Sequence, residues 1–182
     1  MPVAPDAVLL VTLGFDAPTF ERLDALRVRY FPPERNFIPA HVSLFHHLPG
    51  AEEAEIDAAL AEAAASRGPI ALRFPSLRRM DQGMMAVVEA PGLPAIHERL
   101  VRAFRSWLTP QDRQPFRSHV TIMNKAKREQ AAQAFGELQA AWSPWTGIGD
   151  RLLLWEYRGG PWDAVASYPF TGKPDAGGGH SA

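Results

Sequence analysis

The sequence predicts an α+β fold of two similar lobes, duplicated and related by a pseudo-twofold, with antiparallel sheets around a central cleft. Three observations carry that expectation. Short apolar runs rich in β-branched residues alternate with segments whose apolar residues recur at three- and four-residue spacing, the marks of strands and amphipathic helices. The order strand, helix, strand, helix, strand occurs twice. The middle strand of each copy places a histidine and a hydroxyl residue two apart, in His41-Val42-Ser43-Leu44 and in His119-Val120-Thr121-Ile122.

Composition bounds the reading. A chain of 182 residues, 46% hydrophobic and 21% charged, can bury one sizeable core, so a single domain over residues 1–171 is expected. The formal charge of −1 argues against a protein that grips long nucleic acid, which needs a basic excess. With no cysteine, disulfides, thiolate nucleophiles and cysteine-ligated metals are excluded together, in keeping with a reducing compartment. The absence of a basic, long apolar leader and of any run near 18 apolar residues leads us to expect a cytoplasmic protein without a membrane partner.

The elements follow in order. Ala7 to Phe15 reads as a buried strand closed by Gly14 and Asp16. Asp16-Ala17-Pro18 starts a helix carrying Phe20, Leu23, Leu26 and Tyr30 on one face, which stops before Pro32-Pro33. Glu34 to Pro39 is a loop into the first histidine strand, His41 to Leu48. Pro49-Gly50 breaks that strand, and Ala51 to Arg67 is an Ala- and Glu-rich helix capped by Gly68. Ile70 to Leu77 and Met84 to Ala90 are strands, with hairpin chemistry at Asp81-Gln82-Gly83. Leu93 to Leu108 is an amphipathic helix, and Thr109 to Pro115 is a polar loop. The second histidine strand spans Phe116 to Met123, and Lys125 to Trp142 is a helix. Ser143 to Gly149 reads as a connection. Leu152 to Tyr157 and Ala164 to Phe170, joined through Gly159-Gly160-Pro161, close the fold, and residues 172–182, His180 included, form a disordered tail.

The two histidines stand 78 positions apart, and sliding the chain against itself by nearly that amount sets Phe20-Glu21-Arg22-Leu23 against His97-Glu98-Arg99-Leu100. On a strand the imidazole and hydroxyl of each motif share one face. Two such strands side by side present two imidazoles and two hydroxyls to one cavity. Imidazoles with an ordinary pKa near ~6.5 suit paired work at neutral pH, one accepting a proton while the other donates one. In-line phosphoryl transfer needs that pairing, with Ser43 and Thr121 donating hydrogen bonds to the non-bridging oxygens. No HExxH, Asp-rich loop or Cys/His cluster marks a metal site, and no cofactor is expected.

His41-Val42-Ser43-Leu44, with Phe45 and Leu48-Pro49-Gly50 behind it, and Pro115-Phe116-Arg117-Ser118-His119-Val120-Thr121-Ile122 resemble the motifs of the two-histidine HxTx phosphoesterase superfamily. Within it the nearest likeness is to the 2′-5′ RNA ligase-like, RNA 2′,3′-cyclic phosphodiesterase group, over roughly residues 7–171. The resemblance implies a bilobal α+β fold with both motifs in a central cleft, and opening of a 2′,3′-cyclic phosphate to a 2′-phosphate. It makes His41 and His119 the acid and base, and Ser43 and Thr121 the phosphate-binding hydroxyls. Ser43 stands where Thr is commoner in the family, and the hydroxyl is kept.

Other residues join by position. Arg117 alternates onto the face of His119 and would meet phosphate. Phe45, on the face of Ser43, and Tyr157 or Trp155 would stack a base. His47 falls on the face of His41 and Ser43, Lys125 either meets phosphate or starts a helix, and His97 reads as a solvated surface residue. The expected partner is a small nucleotide or an RNA terminus carrying a cyclic phosphate, and the chain is expected to be a monomer. The rival reading is a non-catalytic nucleotide- or phosphate-binding module on the same fold.

Overall fold

The structure is a computed structural model that describes residues 3–173. Its elements are β1 (Val8–Phe15), α1 (Ala17–Tyr30), β2 (Val42–Pro49), α2 (Glu53–Ala65), β3 (Ile70–Phe74), β4 (Leu77–Met80), β5 (Gly83–Val87), α3 (Leu93–Phe104), β6 (His119–Met123), α4 (Arg128–Ala141), β7 (Trp145–Tyr157) and β8 (Trp162–Pro169). The repeated order is present: β1-α1-β2-α2-β3 is followed by β5-α3-β6-α4-β7. Two antiparallel sheets result, the α+β class expected. One has the order β2-β1-β7-β3 with β8 also on β7, and the other the order β4-β5-β6.

Local chemistry explains most boundaries. Asp16 caps α1, its carboxylate accepting the Thr19 amide at 3.1 Å, and Pro32-Pro33 ends the helix one residue after its last turn. Pro75 splits the strand expected over 70–77 into β3 and β4, because proline cannot donate to a ladder. Asp81-Gln82 makes the tight turn between Met80 and Gly83, which are paired. A Cβ on Gly83 would lie 1.8 Å from the Met123 carbonyl oxygen, so only glycine lets β5 approach β6 there.

Three expectations are corrected. Residues 143–149 are not merely a connection: β7 starts at Trp145, pairs with β3 through Trp145–Gly149, and continues along β1 and β8. That long strand makes the sheets unequal. Helix α4 starts at Arg128 rather than Lys125, because Lys125 holds a left-handed φ of 58° that no helix admits. The tail is ordered at its first two positions, where the Gly172 amide donates to the Arg67 carbonyl and the Gly68 amide to the Lys173 carbonyl, both at 2.9 Å. The rest of the tail, His180 included, lies outside the described residues.

One hydrophobic cluster runs through both sheets, joining Leu9, Val11 and Leu13 of β1 to Phe45 and Leu48 of β2, Leu60 of α2, Phe104 of α3, and Val120 and Ile122 of β6. Strand β1 is buried along nearly its whole length. The two histidine strands, by contrast, are the edges of their sheets. Those edges meet, β2 against β6, and this seam positions the site.

Candidate active site

The two motifs have the same local geometry. His41 Nδ1 lies 2.7 Å from the Pro39 carbonyl oxygen, and His119 Nδ1 lies 2.9 Å from that of Arg117. A carbonyl only accepts, so each ring donates from Nδ1 to the residue two positions back. Each neutral imidazole therefore keeps Nε2, on the far side of the ring, as its basic nitrogen.

The seam mixes the motifs crosswise. One cavity, about 350 Å³, is lined by His41 of the first motif and Thr121 of the second, with Arg27, Arg35, Phe37, Lys125, Tyr157 and Trp162 around them. A second, about 160 Å³, is lined by Ser43 of the first and His119 of the second, with His46, His97, Gln111, Gln114, Phe116 and Arg117. A larger cavity of about 560 Å³ between α1 and α4 is lined by neither motif. Of the residues singled out in the sequence, the structure brings His41, Thr121, Tyr157 and Lys125 to one cavity, and Ser43, His119 and Arg117 to the other.

Their surroundings differ in charge and solvent. Burial pushes the His41 pKa down to about 4, and the positive charges of Arg27, His46 and His119 push the same way against the Pro39 hydrogen bond. The Trp162 ring lies 4.8 Å from the His41 ring, centroid to centroid. Arg27, 2% exposed, donates to the Thr121 carbonyl at 2.6 Å, to Asn36 Oδ1 at 2.8 Å and to the Ile38 carbonyl at 2.9 Å. It thereby ties α1 and the loop before His41 to the second motif's strand. Desolvation lowers its pKa to about 10, against the pull of Asp24, which leaves it charged at neutral pH.

Two sequence readings on β2 fail for one reason. Thr12 pairs with Ser43 but Val11 pairs with Phe45, and Leu9 pairs with Leu48, so β2 carries an extra residue against β1 at each of two bulges. The first turns Phe45 away from Ser43 into the core, where it is fully buried against Phe104 and His97; it offers no surface for a base. The same shift of alternation puts His46, not His47, on the cavity that Ser43 lines, and His47 is exposed. His97 is likewise not a surface residue. It is 7% exposed and stacked between Phe45, at 5.1 Å, and Phe116, at 4.2 Å. Burial lowers its pKa despite a hydrogen bond to the Leu44 main chain.

Arg27, Trp162 and Asp112 escaped sequence reasoning. Arg27 falls on the helical stripe begun by Thr19 and Leu23, and a charge on a buried stripe was a usable signal. Trp155, named with Tyr157 as a stacking surface, lines neither of these two seam cavities; its indole donates to the buried Thr12 hydroxyl at 2.9 Å. Among the described residues, no cluster of three or more His, Cys, Asp and Glu side chains is placed to hold a metal ion. No helix among them is long and apolar enough to cross a membrane.

The sequence profile of the 2′-5′ RNA ligase superfamily matches residues 15–161. The fold is similar to the crystal structure of TT0787 of Thermus thermophilus, at 16% identity and a TM-score of 0.68 over 91% of this chain and 98% of that one. It is also similar to Escherichia coli LigT complexed with 3′-AMP, at 18% identity and a TM-score of 0.58 over 91% and 98%. LigT complexed with phosphate gives 13% and 0.60 over 92% and 99%. Identities this low speak to the fold alone. Among curated proteins the chain has no match.

Proposed function

The chain belongs to the 2′-5′ RNA ligase superfamily, and from that premise we propose that it is a phosphodiesterase that opens 2′,3′-cyclic phosphates of RNA ends or nucleotides to 2′-phosphates, without a metal or cofactor. The crosswise lining of the two cavities, His41 with Thr121 and Ser43 with His119, is the observation that carries this reading. A phosphate lying across the seam meets one imidazole and one hydroxyl from each side.

In the proposed reaction a water oxygen attacks phosphorus in line with the P–O3′ bond. His41, kept neutral by burial, takes the water proton on Nε2 as the P–O bond forms. His119 gives its Nε2 proton to O3′ as that bond breaks, and the product keeps the phosphate on O2′. Ser43 and Thr121 donate to the non-bridging oxygens, where charge accumulates in the transition state. The two imidazoles then exchange protons with solvent and return to their starting forms. Tyr157, 45% exposed on the larger cavity, stacks the base, and Arg117 adds positive charge beside His119. The complexes of LigT, which shares this fold, with 3′-AMP and with phosphate support a nucleotide-sized ligand. A cytoplasmic monomer acting on such ends completes the reading.

The test is turnover of 2′,3′-cyclic AMP with the product identified. Conversion to adenosine 2′-phosphate, insensitive to EDTA and lost in the His119→Ala variant, is expected. Full activity in that variant, or a 3′-phosphate product, would overturn the mechanism. A wild type that binds adenosine 2′-phosphate but turns over no cyclic phosphate would instead favour a binding module.

A further inference from the structure

A third imidazole faces the site. His46 Nδ1 lies 2.9 Å from Asp112 Oδ1. The same carboxylate accepts the His46 main-chain amide at 2.8 Å on Oδ1 and the His47 amide at 3.1 Å on Oδ2. The Asp112 side chain is 0% exposed. Burial favours its neutral form, but these hydrogen bonds and the His46 charge outweigh burial, and its pKa lies below the ordinary value. An ionised carboxylate only accepts, so the His46 ring donates from Nδ1 and presents Nε2 away from Asp112. The His46 side chain is 41% exposed and lines the smaller cavity together with Ser43, Arg117 and His119.

This arrangement exceeds what strand structure requires. The amides freed where β2 bulges need an acceptor, and Asp112 supplies one; a side chain of any type at position 46 would leave those bonds in place. The ring adds a fixed donor on the open side of the cavity, about 10 Å along the strand from Ser43 at three residues of extended chain. Its charge also bears on His41, so it belongs to the same electrostatic site. The cavity, about 160 Å³, is less than half the volume of the one rimmed by Tyr157 and Trp162. With the imidazoles of His46 and His119 and the exposed Arg117 at its wall, and with the Asp112 oxygens taken up by backbone amides and the His46 ring, it suits a compact anion rather than a base.

We infer that the smaller cavity binds a second phosphate of the substrate, the one on the 5′ side of the nucleoside whose 2′,3′ edge is at the histidine pair, and that His46, positioned by Asp112, is its principal ligand. The inference rests on the cyclic-phosphate reading above. On a ribose the base leaves from C1′, next to C2′, and the 5′ carbon from C4′, next to C3′, so on one face of the ring they flank the two ends of the 2′,3′ edge. A base in the larger cavity therefore directs the 5′ phosphate toward the smaller one. The preferred substrates are then nucleotides or RNA ends that carry this phosphate, not bare nucleoside cyclic phosphates.

Calorimetric titration at fixed salt tests this with four probes: adenosine 2′-phosphate, adenosine 5′-phosphate, adenosine 2′,5′-bisphosphate and a dinucleotide ending in a 2′-phosphate. The wild type is expected to bind the bisphosphate at least tenfold tighter than the 2′-phosphate. In His46→Ala that gain should fall below threefold, and Arg117→Ala, a change at an exposed side chain, should also reduce it. Asp112→Asn should reduce it partway, since the amide still accepts a hydrogen bond but holds the ring less firmly. A wild type without the gain, or a His46→Ala variant that keeps it, overturns the inference. A proportional loss for both 2′-phosphates in His46→Ala does so too, because it marks a structural role. If the 5′-phosphate binds through His46 while the 2′-phosphate does not bind, the second-phosphate site stands and the cyclic-phosphate reading falls. A dinucleotide ending in a 2′-phosphate that matches the bisphosphate assigns the site to an RNA end, and one that loses the gain assigns it to the free nucleotide.

Discussion

The strand of His41 and the strand of His119 repeat one device in two environments. Both are edge strands, both place imidazole and hydroxyl two residues apart, and both rings donate from Nδ1 to the carbonyl two positions back. Around His41 the protein closes: Trp162 packs on the ring, buried Arg27 lies behind it, and the pKa falls to about 4. Beside His119 stands an exposed arginine, Arg117, whose carbonyl orients the ring while its side chain lines the smaller cavity. Repetition supplies two equivalent groups. Their surroundings are unequal, and burial lowers the pKa of His41.

The largest effects should come from the groups that are equivalent. His41→Ala and His119→Ala are each expected to lower kcat for 2′,3′-cyclic AMP by roughly 10²–10⁴-fold with the far-UV circular dichroism unchanged. A loss confined to one of them would break the equivalence. Next come the arginines, which are not equivalent. Arg27→Met leaves the Thr121 and Ile38 carbonyls and the Asn36 side chain without their donor, and should cost about 3 kcal/mol in urea unfolding. Arg117→Met, at an exposed side chain, should cost under about 0.5 kcal/mol. Equal costs would show that the two sides are built alike.

The same contrast explains what could be read from the chain. Periodicity and composition located the four α-helices of the described residues, and the paired motifs located the seam, because those signals are local and repeat. The bulges at Leu44 and between Phe45 and Leu48 are not local: they appear only when β2 is laid against β1. They invert the fates of Phe45, His46 and His47. His97 looked solvated beside Glu98 because both rings that enclose it, Phe45 and Phe116, come from other parts of the chain. Ser143 to Gly149 looked like a connection because it holds a proline and two glycines, yet those glycines admit Thr19 and Leu13, which a Cβ at 147 or 149 would strike. Asp112 sat in a polar loop with nothing in its neighbourhood to single it out.

Acidity should expose the unequal environments. If His41 is the base, it must be unprotonated, so activity is present above its pKa and is lost as pH falls through it. With that pKa lowered to about 4, the acid limb of kcat/KM for the free enzyme should lie near pH 4. Trp162→Ala admits water to the ring, weakens the desolvation that lowers the pKa, and should move the limb upward toward ~6.5. A wild-type limb already near 6.5 would remove the assignment of His41 as base.

The smallest effect should be at the hydroxyls, where the two strands differ by a methyl group. Both side chains supply the same donor, so Ser43→Thr and Thr121→Ser should each change kcat/KM by less than about threefold, whereas either residue changed to alanine loses a transition-state donor and should cost more than about tenfold. The exchanges should differ in sign. A threonine hydroxyl is held by its stiff χ1, so Ser43→Thr should hold or raise the rate and Thr121→Ser should lower it. The outcome turns on space at position 43, which pairs with the fully buried Thr12. If the added methyl strikes Thr12, whose hydroxyl is fixed by the Trp155 indole, Ser43→Thr will fall tenfold or more. The serine would then be a steric requirement of the β2 side, and the difference between the strands would extend to the hydroxyls themselves.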